Sequence, residues 1–340
     1  AYRVADEALH CGFHLITNAL DERVQLWEKA LDDNGVQVIY NTAAKSLIVE
    51  NDKICGFTAE KEDGTPITVH AGAVIIASGG FLGNRDLQEK FLHTRKLNAA
   101  AGGNSLCTGD GIVMANDAGA VLCKTFGYCP CEYGGTNSKA SRPAKQDKYD
   151  QNYCFKFGLY GNLLVDGEGK RFISELTTRD VTSAAVSKQT GGTAFEIFDD
   201  KVRQSVKQTG AAFELGLAKE GKTLAELAKN AGIDPKNLEA TIAQYNKYAE
   251  AGKDPDFNRP GLNAKLKVDK APFYAIEITP AIHYYMGGLK FNGKTQVINT
   301  SGKPIGGLYA AGEVTGGVHG KNRLGGNSIS ETITCLLYTS

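Results

Sequence analysis

The sequence lacks several features that would place it in a class at once. No apolar run approaches the roughly 18 residues of a membrane span. No block of like charge marks a nucleic-acid or membrane partner, because 38 basic residues balance 38 acidic ones. Eight cysteines are scattered over 340 residues, without the C-x-x-C pair of a zinc site or the C-x-x-C-H of a haem site. We therefore expect no metal, no nucleic acid and no membrane span from these residues.

Glycine, in contrast, is abundant, with 40 residues, and three glycine turns follow apolar strands. They are IIASGG (75–80), CTGDGIV (107–113) and YAAGEVTGG (309–317). In α/β sheets, ligands bind at the carboxyl ends of strands, where glycine lets the backbone approach and helix N-termini favour phosphate. A tight turn explains each one alone, but the three together predict a dinucleotide site. No N-terminal G-x-G-x-x-G is present, so we expect a piece of a longer protein that lacks the first strand of this domain.

The pattern of elements along the chain is that of an α/β protein with an insertion. Helical spacing over 20–35 is followed by VQVIY (36–40), which we predict as a strand. Three short strands follow within 45–71, and AVIIASGGF (73–81) is typical of a buried parallel strand. A loop- and helix-rich stretch begins near residue 124, and the end of the chain returns to strand, turn and strand.

Five stretches resemble one known family in order. They are AVIIASGGF, TGDGIVMANDAGA, GKRFISELTTRDVTSAA, AIHYYMGG and GLYAAGEVTGGVHGKNRLGGNSISE. They resemble the FAD-containing fumarate reductase and succinate dehydrogenase flavoproteins, and most closely the soluble branch with flavocytochrome-type fumarate reductases and urocanate reductase. The resemblance covers about residues 36–334. It implies a Rossmann-like FAD-binding domain of α/β class, residues 1–123 and 285–340, interrupted by an α+β capping domain, residues 124–284.

The resemblance also implies a reaction, the reduction of a C=C bond next to a carboxylate. Hydride would come from N5 of FAD and a proton from Arg179, while His283 and Arg323 would hold the carboxylate. The chemistry fits, because fixed cations stabilise charge that builds up on the substrate, and an Arg fork binds two carboxylate oxygens. The residues alone leave other interpretations open. Arg179 could pair with Asp180 at a helix start, His283 could be a hydrogen-bonded core residue, and Arg323 could hold its loop.

The family's cofactor positions carry over to the glycine turns and to the last helix. Glu313 is expected at the ribose or ribityl chain. The full set of expected FAD neighbours is Ala77, Ser78, Gly79, Gly80, Gly109, Asp110, Gly111, Gly312, Glu313, Arg323, Gly326, Asn327 and Ser328.

Two segments depart from the family's pattern. Where fumarate reductases carry a His-Pro-Thr segment for the second carboxylate, this chain has KTFGYCPCEYGG (124–135), without His. Where they carry a Glu and an Arg as a proton relay, QNYCFKFGLYGN (151–162) offers Lys156 as its only cation. We therefore expect an acrylate with an aromatic or apolar far end rather than fumarate, and reprotonation of Arg179 through Lys156, Tyr153 or water. The tail after Thr334, CLLYTS, also departs and is expected to be foreign.

Other functions stay open at this stage. A dehydrogenase of the same family would run the reaction in the oxidative direction, and a flavoprotein fragment would be inactive. The electron donor, an FMN or cytochrome domain or protein, is not visible in these residues. The bacterial periplasm, the cell envelope and the cytoplasm all remain possible compartments.

Overall fold

The computed structural model describes residues 20–92, 107–123, 128–134, 158–206, 208–214, 216–320, 322–324 and 327–337. The chain divides into two units, one of Ala1–Ala44 with Thr58–Thr68 and one of Lys45–Phe57 with Val69–Ser340. The predictions made for Tyr153, Lys156 and Gly326 lie outside the described residues.

The helices and strands follow one another in mixed order. The helices are α1 (Leu20–Asp33), α2 (Arg85–Leu92), α3 (Asp110–Asp117), α4 (Arg179–Val186), α5 (Asp200–Ser205), α6 (Gln208–Glu214), α7 (Leu224–Ala231), α8 (Pro235–Ala251) and α9 (Asn327–Leu337). The strands are β1 (Thr42–Glu50), β2 (Lys53–Lys61), β3 (Pro66–His70), β4 (Val74–Ile76), β5 (Tyr128–Gly134), β6 (Leu163–Val165), β7 (Ala194–Asp199), β8 (Ala218–Gly221), β9 (Phe273–Tyr285), β10 (Gln296–Ile298) and β11 (Pro304–Ala310). Within these described ranges, no helix combines the length and the hydrophobicity that a bilayer crossing needs.

The smaller unit contains α1 and a turn at Asp63–Gly64, where Gly64 N donates to Lys61 O over 2.9 Å. The strand predicted over 36–40 is wrong. This segment is not part of any sheet among the described residues, and Tyr40 is 69% exposed. Apolar alternation alone does not make a strand, because a strand also needs a neighbour that satisfies its backbone hydrogen bonds.

In the larger unit, β11 is the centre of the first sheet. It runs parallel to β4, with Leu308 opposite Val74, and parallel to β2, with Gly306 opposite Lys53. Strand β10 adds to it in antiparallel orientation. The core of this sheet is formed by buried side chains that include Ile54, Ile76, Phe81, Ile112 and Leu308. The parallel strand predicted from AVIIASGGF is confirmed, although it ends at Ile76. Its predicted burial holds only for Ile76, since Ile75 is 47% exposed.

The second sheet is antiparallel, in the order β5–β9–β7–β6 with β8 on β9. We call this sheet, helices α4–α8 and the described loops that connect them, with Arg171, Glu175, Asp254 and Arg259, the second-sheet region. Helices α7 and α8 cover one of its cores with Leu227, Leu238 and Ile242. Helix α8 begins at the cap residue Asp234, which accepts from Asn237 N over 2.8 Å, and ends before Gly252.

Strand β9 is 13 residues long and connects the second sheet to the core of the first sheet. Its first half packs in the second-sheet region with Ile276 and Ile278. Its last residues, Ile282 and Tyr285, belong to the core of the first sheet. The α/β class is therefore confirmed, and β9 brings the stretch around His283 to the glycine turns of the first sheet.

Candidate functional site

The three glycine turns meet at one edge of the first sheet. Strands β4 and β11 are parallel, so their carboxyl ends lie at the same edge, and Ala311 N donates to Ile76 O over 3.1 Å. The chain continues from β4 into Ala77–Gly80 and from β11 into the 3-10 helix Gly312–Val314. The structure thus brings these predicted residues together at the edge where α/β sheets bind ligands.

Several glycines at this edge leave no room for a side chain. A Cβ on Gly79 would lie 2.8 Å from Cys107 Sγ, and Gly79 has a φ of +73° that disfavours other residues. A Cβ on Gly111 would collide with Ser78 and Ile76. Close packing of backbone against neighbours is therefore the reason for glycine here, and it joins the first and second turns.

The N-terminus of α3 lies in the second glycine turn. Gly109 precedes the helix with a φ of +81°, and the exposed Asp110 accepts a hydrogen bond from Thr108 Oγ1 over 2.7 Å. The first amides of a helix have no partner within the helix and carry partial positive charge. Gly109–Gly111 therefore offers backbone donors beside Ser78.

Glu313 is the ionisable group of the third turn. Its Oε1 accepts from Tyr285 N over 2.9 Å, and a Cβ on Gly80 would lie 2.8 Å from the same oxygen. Burial raises the pKa of this carboxyl from 4.5 to about 7, against the lowering effects of the Tyr285 amide and of Arg323. The ring of Tyr285 stacks on Phe81 with centroids 3.9 Å apart, which fixes β9 against the first turn.

Arg323 lies between the 3-10 helix and α9 and is only 6% exposed. Its Nη1 donates over 3.4 Å to Leu324 O and to Ser328 Oγ, both long contacts, and its buried Nε has no hydrogen-bond partner. Its guanidinium carbon lies 4.4 Å from the ring centroid of Tyr284. No ion pair joins it to a carboxylate of the described residues. This buried guanidinium therefore has no direct carboxylate partner among the described residues, although it interacts with the charge of Glu313 through space.

A buried carboxylate, Glu331 of α9, lies behind Arg323. Glu331 accepts from Tyr284 OH and from Thr315 Oγ1, each over 3.1 Å, and lies 3.0 Å from His319 Nε2. The rings of Tyr284 and His319 meet edge to face with centroids 5.6 Å apart. Burial, and then the charge of Glu331, raise the pKa of the Tyr284 hydroxyl. Tyr284 is therefore a neutral hydrogen-bond donor.

Arg179 is the first residue of α4, after Thr178, and is partly exposed. The neighbouring Asp180 accepts from Asn322 Nδ2 over 2.7 Å. A hydrogen bond from Thr178, and then that from Asn322, lower the pKa of Asp180. Asp180 and Asn322, which are next to Arg179 and Arg323 in the sequence, are thus hydrogen-bonded to each other.

His283 lies at an irregularity of β9. Tyr284 pairs with Cys129 and Ile282 pairs with Pro130, so His283 is an extra residue between two neighbouring pairs. Such bulges are frequent beside active sites, because they redirect a side chain. The side chain of His283 lies outside the described part of the structure, whereas its backbone is two residues from the Tyr285 amide that binds Glu313.

The remaining predicted cofactor residues, Asn327 and Ser328, begin α9, and Ser328 accepts from Arg323. Roles for Tyr284, Thr315, His319 and Glu331 were not predicted from the sequence. The spacing Asn327–Glu331 does place these two on one face of α9. Nothing in the sequence, however, indicates that His319 and Tyr284 meet there. In the described ranges, no group of His, Cys, Asp and Glu side chains could hold a metal ion.

Comparisons with known proteins agree with a flavin site. The family model described as FAD binding domain matches residues 18–329. A fumarate reductase (cytochrome) of Shewanella frigidimarina is 39% identical over 319 residues, which are 88% of this chain and 52% of that protein. An NADH:acrylate oxidoreductase of Vibrio harveyi is 35% identical over 322 residues, which are 92% of this chain and 31% of that protein.

A solved structure of the open conformation of a flavocytochrome c3 fumarate reductase has the same fold. Its TM-score is 0.73 at 32% sequence identity, over 91% of this chain and 52% of that chain. The chain spans about half the length, or less, of these relatives.

Proposed function

The chain belongs to the family of FAD-binding domains, and we propose that it forms the flavin- and substrate-binding part of a reductase. The reaction is the reduction of the C=C bond of an α,β-unsaturated carboxylate. The FAD-binding domain would comprise residues 1–123 and 285–340, and the capping domain residues 124–284. Among the relatives, one is named for fumarate and another for acrylate, and both compounds contain a C=C bond next to a carboxylate.

The edge of the first sheet fits a flavin dinucleotide. Cys107, Glu313 and Ser78 leave no room for a side chain on Gly79, Gly80 and Gly111, so the three turns are packed closely against one another at this edge. The backbone of Ala77–Gly80, the amides of Gly109–Gly111 and the turn at Gly312 would hold the cofactor, with Asp110, Glu313, Asn327 and Ser328 as polar neighbours. Reduced FAD supplies the hydride when it is bound.

The observation that carries the proposal is the state of Arg323. A guanidinium that is 6% exposed, with an unpartnered Nε and no carboxylate partner in the described residues, is costly to bury. A substrate carboxylate would supply the missing charge and two acceptors for the planar fork. Binding would then fix the substrate and offset the charge that develops on it during hydride addition. His283, beside Tyr284 on β9, is proposed as the second group at this carboxylate.

Arg179 is proposed as the proton donor to the other carbon of the double bond. Its place at the start of α4, and the hydrogen bond that Asn322 donates to Asp180, connect α4 directly to the segment of Arg323. Arg is an unusual acid because its pKa exceeds about 12. It can donate only to a strongly basic carbon held in fixed geometry, and a donor so placed contributes about 10²–10⁴-fold in rate. Reprotonation through Lys156, Tyr153 or water stays a prediction.

The far end of the substrate is proposed to be apolar or aromatic. The segment Cys129–Pro130–Cys131 pairs with the backbone of β9 on both sides of His283. The sequence offers no His in this segment, and an acrylate without a second carboxylate needs none. The Vibrio harveyi relative, named for acrylate, is consistent with such a substrate.

The test is anaerobic oxidation of a reduced dye by a panel of acids, catalysed by the FAD-loaded chain. We expect cinnamate and urocanate to be reduced faster than fumarate, and we expect Arg179→Gln to abolish turnover while its FAD absorbance stays normal. If fumarate is reduced much faster than the aryl acrylates, the proposed substrate class is wrong. If no unsaturated acid oxidises the reduced dye while saturated acids reduce the oxidised dye, the enzyme runs as a dehydrogenase. The dye replaces the natural electron donor, which we propose to be an FMN or cytochrome domain or protein.

A further inference from the structure

We propose that Glu331 is a positioning residue for Arg323, and that it acts through the ring of Tyr284. The inference rests on the proposed function, because it assumes that Arg323 binds the substrate carboxylate. Glu331 itself would touch neither cofactor nor substrate.

Arg323 has weak direct support from its own segment. Its two hydrogen bonds, to Leu324 O and Ser328 Oγ, are both 3.4 Å long. The guanidinium instead lies over the aromatic ring of Tyr284, with its carbon 4.4 Å from the ring centroid. We call this ring the platform of Arg323. A cation over an aromatic face is attracted by the ring, yet Nε and the edge of the fork stay available for a carboxylate.

The platform is itself held by Glu331. Tyr284 is 8% exposed, and its hydroxyl donates to Glu331 Oε2 over 3.1 Å. Glu331 is fixed in turn by Thr315 Oγ1 at 3.1 Å and by His319 Nε2 at 3.0 Å. These contacts come from β9, from the turn after the 3-10 helix and from α9, so the ring position is determined by three separate elements.

Electrostatics explains why the carboxylate of Glu331 contacts Tyr284 rather than Arg323 itself. A direct ion pair with Arg323 would occupy the fork and exclude the substrate. With Tyr284 between them, Glu331 lowers the cost of burying the guanidinium through space and leaves its donors unused. Helix α9 carries both Ser328 and Glu331, so the helix that contacts Arg323 also anchors its platform.

The experiment is a double-mutant cycle on the FAD-loaded chain, with Glu331→Gln, Tyr284→Phe and the double variant. The dissociation constant of cinnamate is measured by calorimetry, and FAD content and the melting temperature are measured beside it. Loss of one hydrogen bond to a charged group predicts about tenfold weaker binding for each single variant. The double variant should be weakened by about the same tenfold, because both changes cut one chain of contacts. Glu250→Gln, which removes an exposed ion pair with Lys267, is the matched control and should leave binding unchanged.

Three results would overturn the inference. Additive effects, about a hundredfold in the double variant, would mean that Glu331 and Tyr284 act separately. A lower melting temperature with unchanged cinnamate binding would make the cluster a folding element only. If Arg323→Gln weakens binding while Glu331→Gln and Tyr284→Phe do not, the inference fails and the proposed function stands. If Arg323→Gln itself leaves binding unchanged, the proposed function fails.

Discussion

Within the described ranges, buried arginines have carboxylate partners in one region of the molecule and lack them in another. In the second-sheet region, Arg171 donates to Glu175 and to Asp254 over 2.8 Å, and Arg259 donates to Glu175 over 2.9 Å. At the edge of the first sheet, Arg323 is as well buried but has no carboxylate partner among the described residues.

The difference separates a structural charge from a functional one. Removing one partner of a buried ion pair is strongly destabilising, so Arg171, Arg259 and Glu175 stabilise the fold of their region. A buried cation without a direct carboxylate partner lowers stability, and a ligand that supplies the opposite charge would offset this cost. Burial alone does not distinguish a structural arginine from a functional one. The presence or absence of a carboxylate partner does.

The largest expected effect is that of Arg323→Gln on catalysis. Loss of the fork should lower kcat/KM for cinnamate about 1,000-fold, equivalent to about 4 kcal/mol of transition-state binding. The free energy of unfolding should change by less than about 1 kcal/mol, because the lost contact with the Tyr284 ring is offset by removal of a buried charge. Steady-state kinetics and denaturant unfolding check the two parts. Arg323→Lys, which keeps the charge but not the fork, should be intermediate in activity.

The reverse result is expected for Glu175→Gln in the second-sheet region. This change leaves two buried guanidinium groups short of a charged partner and should lower the free energy of unfolding by about 3 kcal/mol. The folded fraction of this variant should have the same flavin absorbance, and the same KM for cinnamate, as the protein without the substitution. A fall in substrate affinity without a fall in the denaturation midpoint would remove the contrast between the two regions.

A smaller effect, visible only as a pH dependence, is expected at Glu313. Its pKa is raised from 4.5 to about 7 by burial, so between these values the folded apoprotein binds more protons than the unfolded chain. Stability is therefore fully present below pH 4.5 and decreases as pH rises to about 7, by at most about 3 kcal/mol. Glu313→Gln retains an oxygen that accepts from the Tyr285 amide but cannot ionise. The difference in unfolding free energy between the two proteins, measured from pH 4 to 8, should show this decrease, and a difference independent of pH would contradict it.

Local patterns predicted much of the fold and of the cofactor edge. The glycine turns at Gly79 and Gly312 follow β4 and β11, and the parallel pairing of these strands brings the two turns together. The turn at Gly109 precedes α3. The strand expected at Val36–Tyr40 was wrong because strand formation depends on a partner that local pattern does not reveal. The cluster of Tyr284, His319 and Glu331 was not predicted either. Its members are far apart in the sequence, and only the meeting of β9 with α9 joins them.

The most direct test of the central claim is a comparison of cinnamate with cinnamamide as ligands of the FAD-loaded chain. The two compounds share shape and apolar ring, but only the acid carries the charge that Arg323 lacks. The account predicts that cinnamate binds at least about 100-fold more tightly, a difference of about 2.7 kcal/mol, and that Arg323→Gln removes this preference. Equal binding of acid and amide, or a preference that survives Arg323→Gln, would contradict it.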